Sequence, residues 1–347
     1  MSNRLRKLLA DLTPVLIALL CGAIVILLTG GNPLKTYWLL GREAFGSWRN
    51  LRSTLLSSTA LLFTATATSI GFRAGAFTLA AEGAFITGGF AAAVVGITYI
   101  HLGGAIGIVA MMVTAAFAGS IVALIPALLK VYLGVDEVVS TLMFNFVTLG
   151  VVTWLVQTYF LAPREANAAT DFVPKHDWLP GQFFGIKMSP GFIVALLAVA
   201  FYAVLMSRTR LGYEIKALGY SKPFARSIGI NDKSTLLIAM LLTGAVAGVG
   251  GAVHLTGLVH RYVAGFSAGY GFTGLAIALL AKFRPLGLIG GSLLLGAISS
   301  AGSTVQLFTH IPLDIVNVLQ GFIMIAAVID SRSIFKTRFS KAKKGGQ

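Results

Sequence analysis

Eight stretches of this chain, near residues 13–29, 51–71, 83–100, 103–129, 138–161, 190–206, 234–257 and 313–330, are apolar and close to the length that crosses a bilayer. A helix rising 1.5 Å per residue needs about 20 apolar residues to cover ~30 Å of hydrocarbon. Two further pieces, about 270–282 and 286–301, are shorter and rich in glycine. They read as thin spans or as a re-entrant pair, which is tolerated only where protein covers the backbone. Charged residues are 11% of the 347, against ~25% in soluble domains, too few to coat a water-facing surface. These features exclude a disordered chain, a disulfide scaffold and most soluble enzymes. They predict an all-α polytopic membrane protein with about ten transmembrane or partly re-entrant helices, forming one domain over 1–347.

The N-terminal run is preceded by Arg4, Arg6 and Lys7, as in a signal peptide. No small-x-small cleavage site follows closely, and Leu20 stands where a lipoprotein signal wants a small residue before Cys21. The segment therefore reads as a retained first span, with Cys21 as a packing residue.

Net charge is +15. A basic soluble surface would suggest nucleic acid, but in a membrane chain Lys and Arg collect on the inside. With the N-terminus inside, the inner segments carry a net +12 and the outer ones +4, so both termini are expected to be cytoplasmic. The dissenting piece is the 30–52 loop, with Lys35, Arg42, Arg49 and Arg52 on the outer side. The densest inner segment is 207–233, and a basic tail follows at 331–347.

Glycine, 40 residues, is well above the usual ~7%. Small-xxx-small steps at Gly103–Gly107, Gly244–Gly248 and Gly287–Gly291 allow close helix approach, where lipid supplies no hydrophobic drive for association. Polar residues inside spans are costly and should face a partner helix or a pathway. Thr141, Asn145 and Thr148 share one helix face, as do Thr54, Ser57, Thr64 and Thr68. Such stripes could bind a sugar's hydroxyls while Phe144 or Phe146 stacks on a flat base, or they could simply bond neighbouring helices. Arg73 and Glu82 read as a structural ion pair.

Two enzyme signatures fail on context. Gly265-Phe266-Ser267-Ala268-Gly269 has the GxSxG spacing, but a nucleophile elbow needs a strand–turn–helix and this is a loop between glycine-rich helices. The five histidines show no ligand spacing, so no metal site is expected. No GxxxxGK[ST] loop occurs, so the chain is expected to bind no ATP by that device.

Within 207–233, charged residues interleave with apolar ones, Pro223 can start a helix, and Gly219 and Gly229 can end helices. One or two short amphipathic helices are expected there. The run GYEIKALGYSKPFARSIGI (Gly212–Ile230) resembles the cytoplasmic coupling loop of permeases of ATP-binding cassette importers, in the branch that includes simple-sugar, branched-chain amino-acid and nucleoside permeases. Thr243–Gly257 is similar to that family's small-residue helix, Gly269–Gly287 to its next block, and Phe72–Gly96 to its N-terminal signature. GVDEVVSTLMFNFV (Gly134–Val147) resembles the nucleoside-type members most. The blocks keep the family's order from about residue 50 to 330. Departures occur around Glu82, where Thr78, Leu79, Ala80 and Ala84 replace polar or glycine positions, and at Thr273, where an acid is common.

The resemblance implies a permease in the bacterial inner membrane that binds no cofactor and leaves ATP hydrolysis to partner subunits. The implied partners are a second permease chain, two cytoplasmic ATPases, an extracytoplasmic solute-binding protein and surrounding lipid, without nucleic acid. Gly212, Glu214, Lys216, Gly219, Pro223, Arg226 and Gly229 would couple to the ATPases. Thr64, Thr68, Thr141, Phe144, Asn145 and Thr148 would line the pathway for a nucleoside. A permease for ribose-like sugars is the alternative. An ion-coupled transporter is disfavoured because Glu82 and Asp314 are the main acids within the spans.

Overall fold

The computed structural model describes residues 32–99, 103–163, 167–179 and 190–308, with isolated positions in 20–27 and 318–322. Among these residues the chain is helical, with one isolated antiparallel bridge, Ala169 to Val263. The helices are α1 (Pro33–Phe45), α2 (Trp48–Arg73), α3 (Ala81–Thr98), α4 (Ala105–Leu133), α5 (Glu137–Tyr159), α6 (Pro190–Arg208), α7 (Arg210–Tyr220), α8 (Lys222–Ser227), α9 (Asp232–His254), α10 (Tyr270–Leu280) and α11 (Pro285–Phe308). Seven of the described helices are long and apolar enough to cross a membrane: α2 to α6, α9 with its extension, and α11.

Six of the expected spans coincide with α2 to α6 and α9. Of the two glycine-rich pieces, 270–282 forms the short α10 and 286–301 lies inside the full-length α11. The expected spans 13–29 and 313–330 fall largely outside the described residues. The 30–52 segment, expected as a loop, contains α1, which Asn32 caps by accepting from Leu34 N at 3.0 Å. Its basic residues hid a helix of modest hydropathy.

Two compact units divide the chain, residues 55–296 and residues 1–54 with 297–347. In the smaller unit, Thr54 Oγ1 donates to Ala44 O (2.9 Å) and Asn50 Nδ2 to Glu43 Oε2 (3.2 Å), joining α1 to the start of α2. Gln320 Nε2 donates to Ser299 Oγ at 2.7 Å.

In the larger unit α2 is enclosed: Ser58 through Gly71 are all buried. Its hydroxyls turn back onto their own helix, Thr66 onto Leu62 O (2.6 Å) and Ser69 onto Ala65 O (2.7 Å). Such bonds let a helix rich in Thr and Ser be buried without leaving these donors unsatisfied. The α4 and α5 windows are by contrast 28% and 22% covered by the chain, leaving rows such as Ile106, Val109, Val113 and Phe117 exposed.

Helices α3, α4 and α9 pack on small residues. A Cβ on Gly88 would lie 2.7 Å from the carbonyl carbon of Gly248, and one on Gly119 would lie 3.0 Å from Gly248 Cα. The Gly244–Gly248 step is thus the close-approach seam that its spacing suggests. Gly107 does something else, lying against the carboxylate of buried Asp177. Gly287 packs on Ala281 just before its own helix.

Helix ends are closed by side chains or by left-handed residues. Asp136 Oδ1 accepts from Val138 N (2.9 Å) and Val139 N (3.1 Å) to start α5, and Thr209 and Asn231 start α7 and α9 in the same way. Gly134, at φ 69°, ends α4, and Lys130 pairs with Glu137 across that tight turn.

Candidate functional site

The α5 stripe is buried at Thr141, Asn145 and Thr148 and faces the start of α3. Asn145 Nδ2 donates to Leu79 O at 3.0 Å, and its Oδ1 accepts from Gly83 N at 3.0 Å. Thr141 Oγ1 accepts from Leu79 N at 3.1 Å and donates to Glu137 O at 2.6 Å. The N–H of Gly83 lies in the first turn of α3, where no intrahelical acceptor exists. Asn145 supplies that acceptor from another helix, and the absence of a side chain at Gly83 gives it room. Asn145→Ala is therefore expected to lower the melting temperature by about 4 °C or less per kcal/mol lost in a chain of this size. Substrate KM should stay unchanged; a raised KM with unchanged melting would show a substrate contact instead.

A cavity of about 490 Å³ opens between α3, α4 and α5, with Phe90, Val122, Phe144, Thr148 and Val151 on its wall. Thr87 and Thr114 also face it, but their hydroxyls donate to Gly83 O and Ala110 O, each at 2.9 Å. The wall is consequently apolar and suited to a flat ring rather than to a sugar's hydroxyls. Of the six pathway candidates, the structure brings Phe144 and Thr148 to this cavity. Thr64 and Thr68 lie elsewhere, on α2, where Thr64 Oγ1 donates to Tyr270 O at 2.9 Å.

Tyr270 opens α10, which at 11 residues is too short to cross a bilayer. Before it, α9 widens into a π turn over Leu255–Val259 and ends at His260, whose φ is 61°. His254, buried just before the turn, sits against the rings of Phe85, Phe266 and Tyr270 at 5.2–5.6 Å. The N-terminal amides of α10 would be orphaned inside the protein without an acceptor. Glu82, from the first turn of α3, provides one: Gly271 N donates to its Oε2 at 2.5 Å, with the Ser267 hydroxyl and Gly269 N–H also bonded to the carboxylate. Ser267 Oγ in turn accepts from Tyr270 N at 3.3 Å. The serine of the GxSxG string is thus part of a helix start, in a loop as its context suggested.

The ion pair expected between Arg73 and Glu82 does not form, because each has other partners. Arg73, at the end of α2, donates from Nη2 to Phe283 O (3.4 Å) and lies over the Phe283 ring at 5.6 Å. Tyr202 Oη donates to the same carbonyl at 2.8 Å and is also bonded to Arg73. The carbonyl belongs to a turn in which Lys282 and Phe283 have φ of 49° and 58°, a conformation costly for residues with a Cβ and kept only when the surroundings impose it.

The 207–233 segment forms the two expected short helices, α7 and α8. Ser221 caps α8 with Pro223 in its first turn, and Gly229 follows it at φ 81°. Gly219 does not end α7 as expected; it lies in the last turn, where a Cβ would sit 3.0 Å from Gly75 N. Gly212 likewise packs on the backbone of Leu205 and Met206. Glu214 bonds Arg210 (3.0 Å), Arg226 bonds Asp232 (2.6 Å), and Lys216 is exposed. The outward face carries Tyr213, Tyr220, Phe224 and Ile228, with Tyr220 89% exposed.

At the far end of α9 the segments 167–179 and 260–264 are joined by backbone bonds, including Thr170 N to Tyr262 O and Val173 N to His260 O, each 2.9 Å. Trp178 stacks on His260 at 3.8 Å. Sequence reasoning missed this clasp and Asp177, since nothing local marks a loop that pairs with another 90 residues away.

A family model described as the permease component of branched-chain amino acid transport systems matches residues 50–328. The chain belongs to this permease family. Its relatives include the nucleoside ABC transporter permease protein NupB of Lactococcus lactis, 28% identical over 99% of this chain and 96% of that protein. The guanosine ABC transporter permease protein NupP of Bacillus subtilis is 27% identical over 100% and 99%. The glucose ABC transporter permease protein TsgB13 of Haloferax volcanii is 28% identical over 90% and 84%. With seven apolar helices among its described residues, this permease is a multi-pass inner-membrane protein and a transport component of the kind its relatives are.

Proposed function

We propose that this permease carries nucleosides inward as the membrane-spanning subunit of an ATP-driven importer. The observation that carries the reading is its end-to-end similarity to a nucleoside and a guanosine permease. The exposed face of α7 and α8 supports it as the surface on which cytoplasmic ATPases dock, with Gly212 and Gly219 seating α7 on α6 and on the α2–α3 connection. In this reading the chain is one permease domain of about ten membrane helices with both termini cytoplasmic. A second permease chain, two ATPases that hydrolyse ATP, and an extracytoplasmic solute-binding protein complete the importer.

Solute would cross at the interface with the second permease, by alternating access. Phe144 and Thr148 are the pathway residues we retain, with Phe144 offering a ring face to the base. Asn145 and Thr141 hold that wall in place, and Thr64 braces α2 against α10. A second reading, a ribose-like sugar as cargo, is favoured by the likeness to a glucose permease.

The test is ATP-dependent uptake by the reconstituted importer, with labelled guanosine, uridine, ribose and leucine in parallel. Uptake of the nucleosides at least tenfold faster than ribose, a difference of about 1.4 kcal/mol, is the expected result. Transport of leucine alone would sink the nucleoside reading, and transport of ribose alone would establish the second.

A further inference from the structure

Arg73 stands where three elements meet, and the transport reading above leaves it without a role. Its backbone is pressed against the coupling segment: Gly219 of α7 approaches so closely that a Cβ there would collide with the Arg73 carbonyl and lie 3.0 Å from Gly75 N. Gly75, at φ 78°, is the residue that permits the contact from the other side, its own Cβ position being 3.1 Å from Gly219 Cα. Two helical backbones this near cannot slide apart and back without moving one another, because packed interfaces of this kind are not continuously deformable.

The side chain of Arg73 points to a different element. Its guanidinium holds the Phe283 carbonyl and ring, while Nε is buried without a hydrogen-bond partner. Tyr202, on the α6 helix that leads into α7, holds the same carbonyl. Lys282 and Phe283, both left-handed, form the turn that ends α10, closed by Phe283 N to Ala278 O at 3.0 Å. The other end of α10 is seated on Glu82. The short helix is therefore held at both ends by side chains from other helices, and the inner hold is made by the residue on which α7 rests.

We propose that Arg73 is a positioning residue that ties α7 to the turn joining α10 and α11, so that displacement of α7 is passed to α10 during transport. The proposal rests on the reading of α7 and α8 as the ATPase-docking segment. Arg suits the task because its planar fork can meet a carbonyl, a hydroxyl and a ring face at once, whereas a Lys ammonium is a single point charge.

The test uses the complete importer in proteoliposomes, with wild-type chain, Arg73→Gln, Arg73→Lys and Tyr202→Phe. ATPase co-purification, ATP turnover and uptake of labelled guanosine are measured on the same samples. For Arg73→Gln the ATPases should still bind and turnover should stay within about twofold, while uptake per ATP falls about tenfold, inside the 5- to 150-fold span usual for coupling between sites. Arg73→Lys and Tyr202→Phe should fall in the same direction by less.

Uptake and ATP turnover that decline by one common factor, or an unchanged ratio in all three variants, would overturn the proposal. If Arg73→Gln does not accumulate as folded protein, the ratio in Arg73→Lys and Tyr202→Phe decides. A wild-type importer that shows no ATPase binding or no ATP-dependent uptake fails at the docking reading itself, and the proposal falls with it. The wild-type sample separates these two failures.

Discussion

Gly248→Leu should leave almost no folded permease in the membrane. Gly248 lies where α9 meets both α3 and α4: the backbones of Ala115 and Gly119 border the space a side chain would enter, and Gly88 of α3 packs on the Gly248 backbone. Those neighbours are main-chain atoms, so no rotamer change can make room. Overpacking in a well-filled core usually costs about 1–3 kcal/mol, and more when backbones must part. Lipid offers no hydrophobic drive that would hold separated helices together. Gly248→Ala, with one added carbon against the same backbone, should be milder but still destabilising. Monodisperse yield after detergent extraction and melting temperature report the effect; wild-type values for Gly248→Leu would contradict the seam. Gly290, with nothing near its Cβ position, is the matched control, and Gly290→Ala should behave as wild type.

The second large effect is expected at Glu82. Its carboxylate serves three donors at the start of α10, and a helix N-terminus carries roughly half a positive charge that favours an anion there. Glu82→Leu leaves the buried Gly271 N–H without its acceptor, at about 1–3 kcal/mol, and removes the partner of the other two donors. It should lower the melting temperature sharply and abolish uptake. Glu82→Gln keeps one acceptor oxygen but turns an NH₂ towards other N–H groups, so it should fall between. If Glu82 instead paired with a cation, Glu82→Gln would be as damaging as Glu82→Leu. Melting curves of both variants in one detergent distinguish the two cases.

The spans were readable because twenty apolar residues admit few alternatives. What misled was composition at the edges: α1 carries Lys35 and Arg42 and reads as a loop. Glycine-rich 270–301 also has two readings until α10 is seen to stop at the Lys282–Phe283 turn. Polar residues announced themselves but not their partners. Asn145 was legible as a buried amide with a purpose, yet its bonds go to Leu79 and Gly83, 66 and 62 residues away. Glu82 and Arg73, near in sequence and opposite in charge, suggested one another; their real partners lie 189 and 210 residues further on. Local spacing informs on faces and ends of helices. Which distant backbone group a buried side chain satisfies is set by packing, and no local pattern encodes it.

The central claim is that this chain is the passive membrane part of an ATP-driven nucleoside importer. The most direct test loads proteoliposomes of the complete importer with ATP and follows labelled guanosine uptake with and without a protonophore, and again with the ATPase subunits omitted. The account predicts uptake that requires both ATP and the ATPases and is unaffected by collapse of the proton gradient. Uptake that persists without the ATPases and disappears with the gradient would contradict it.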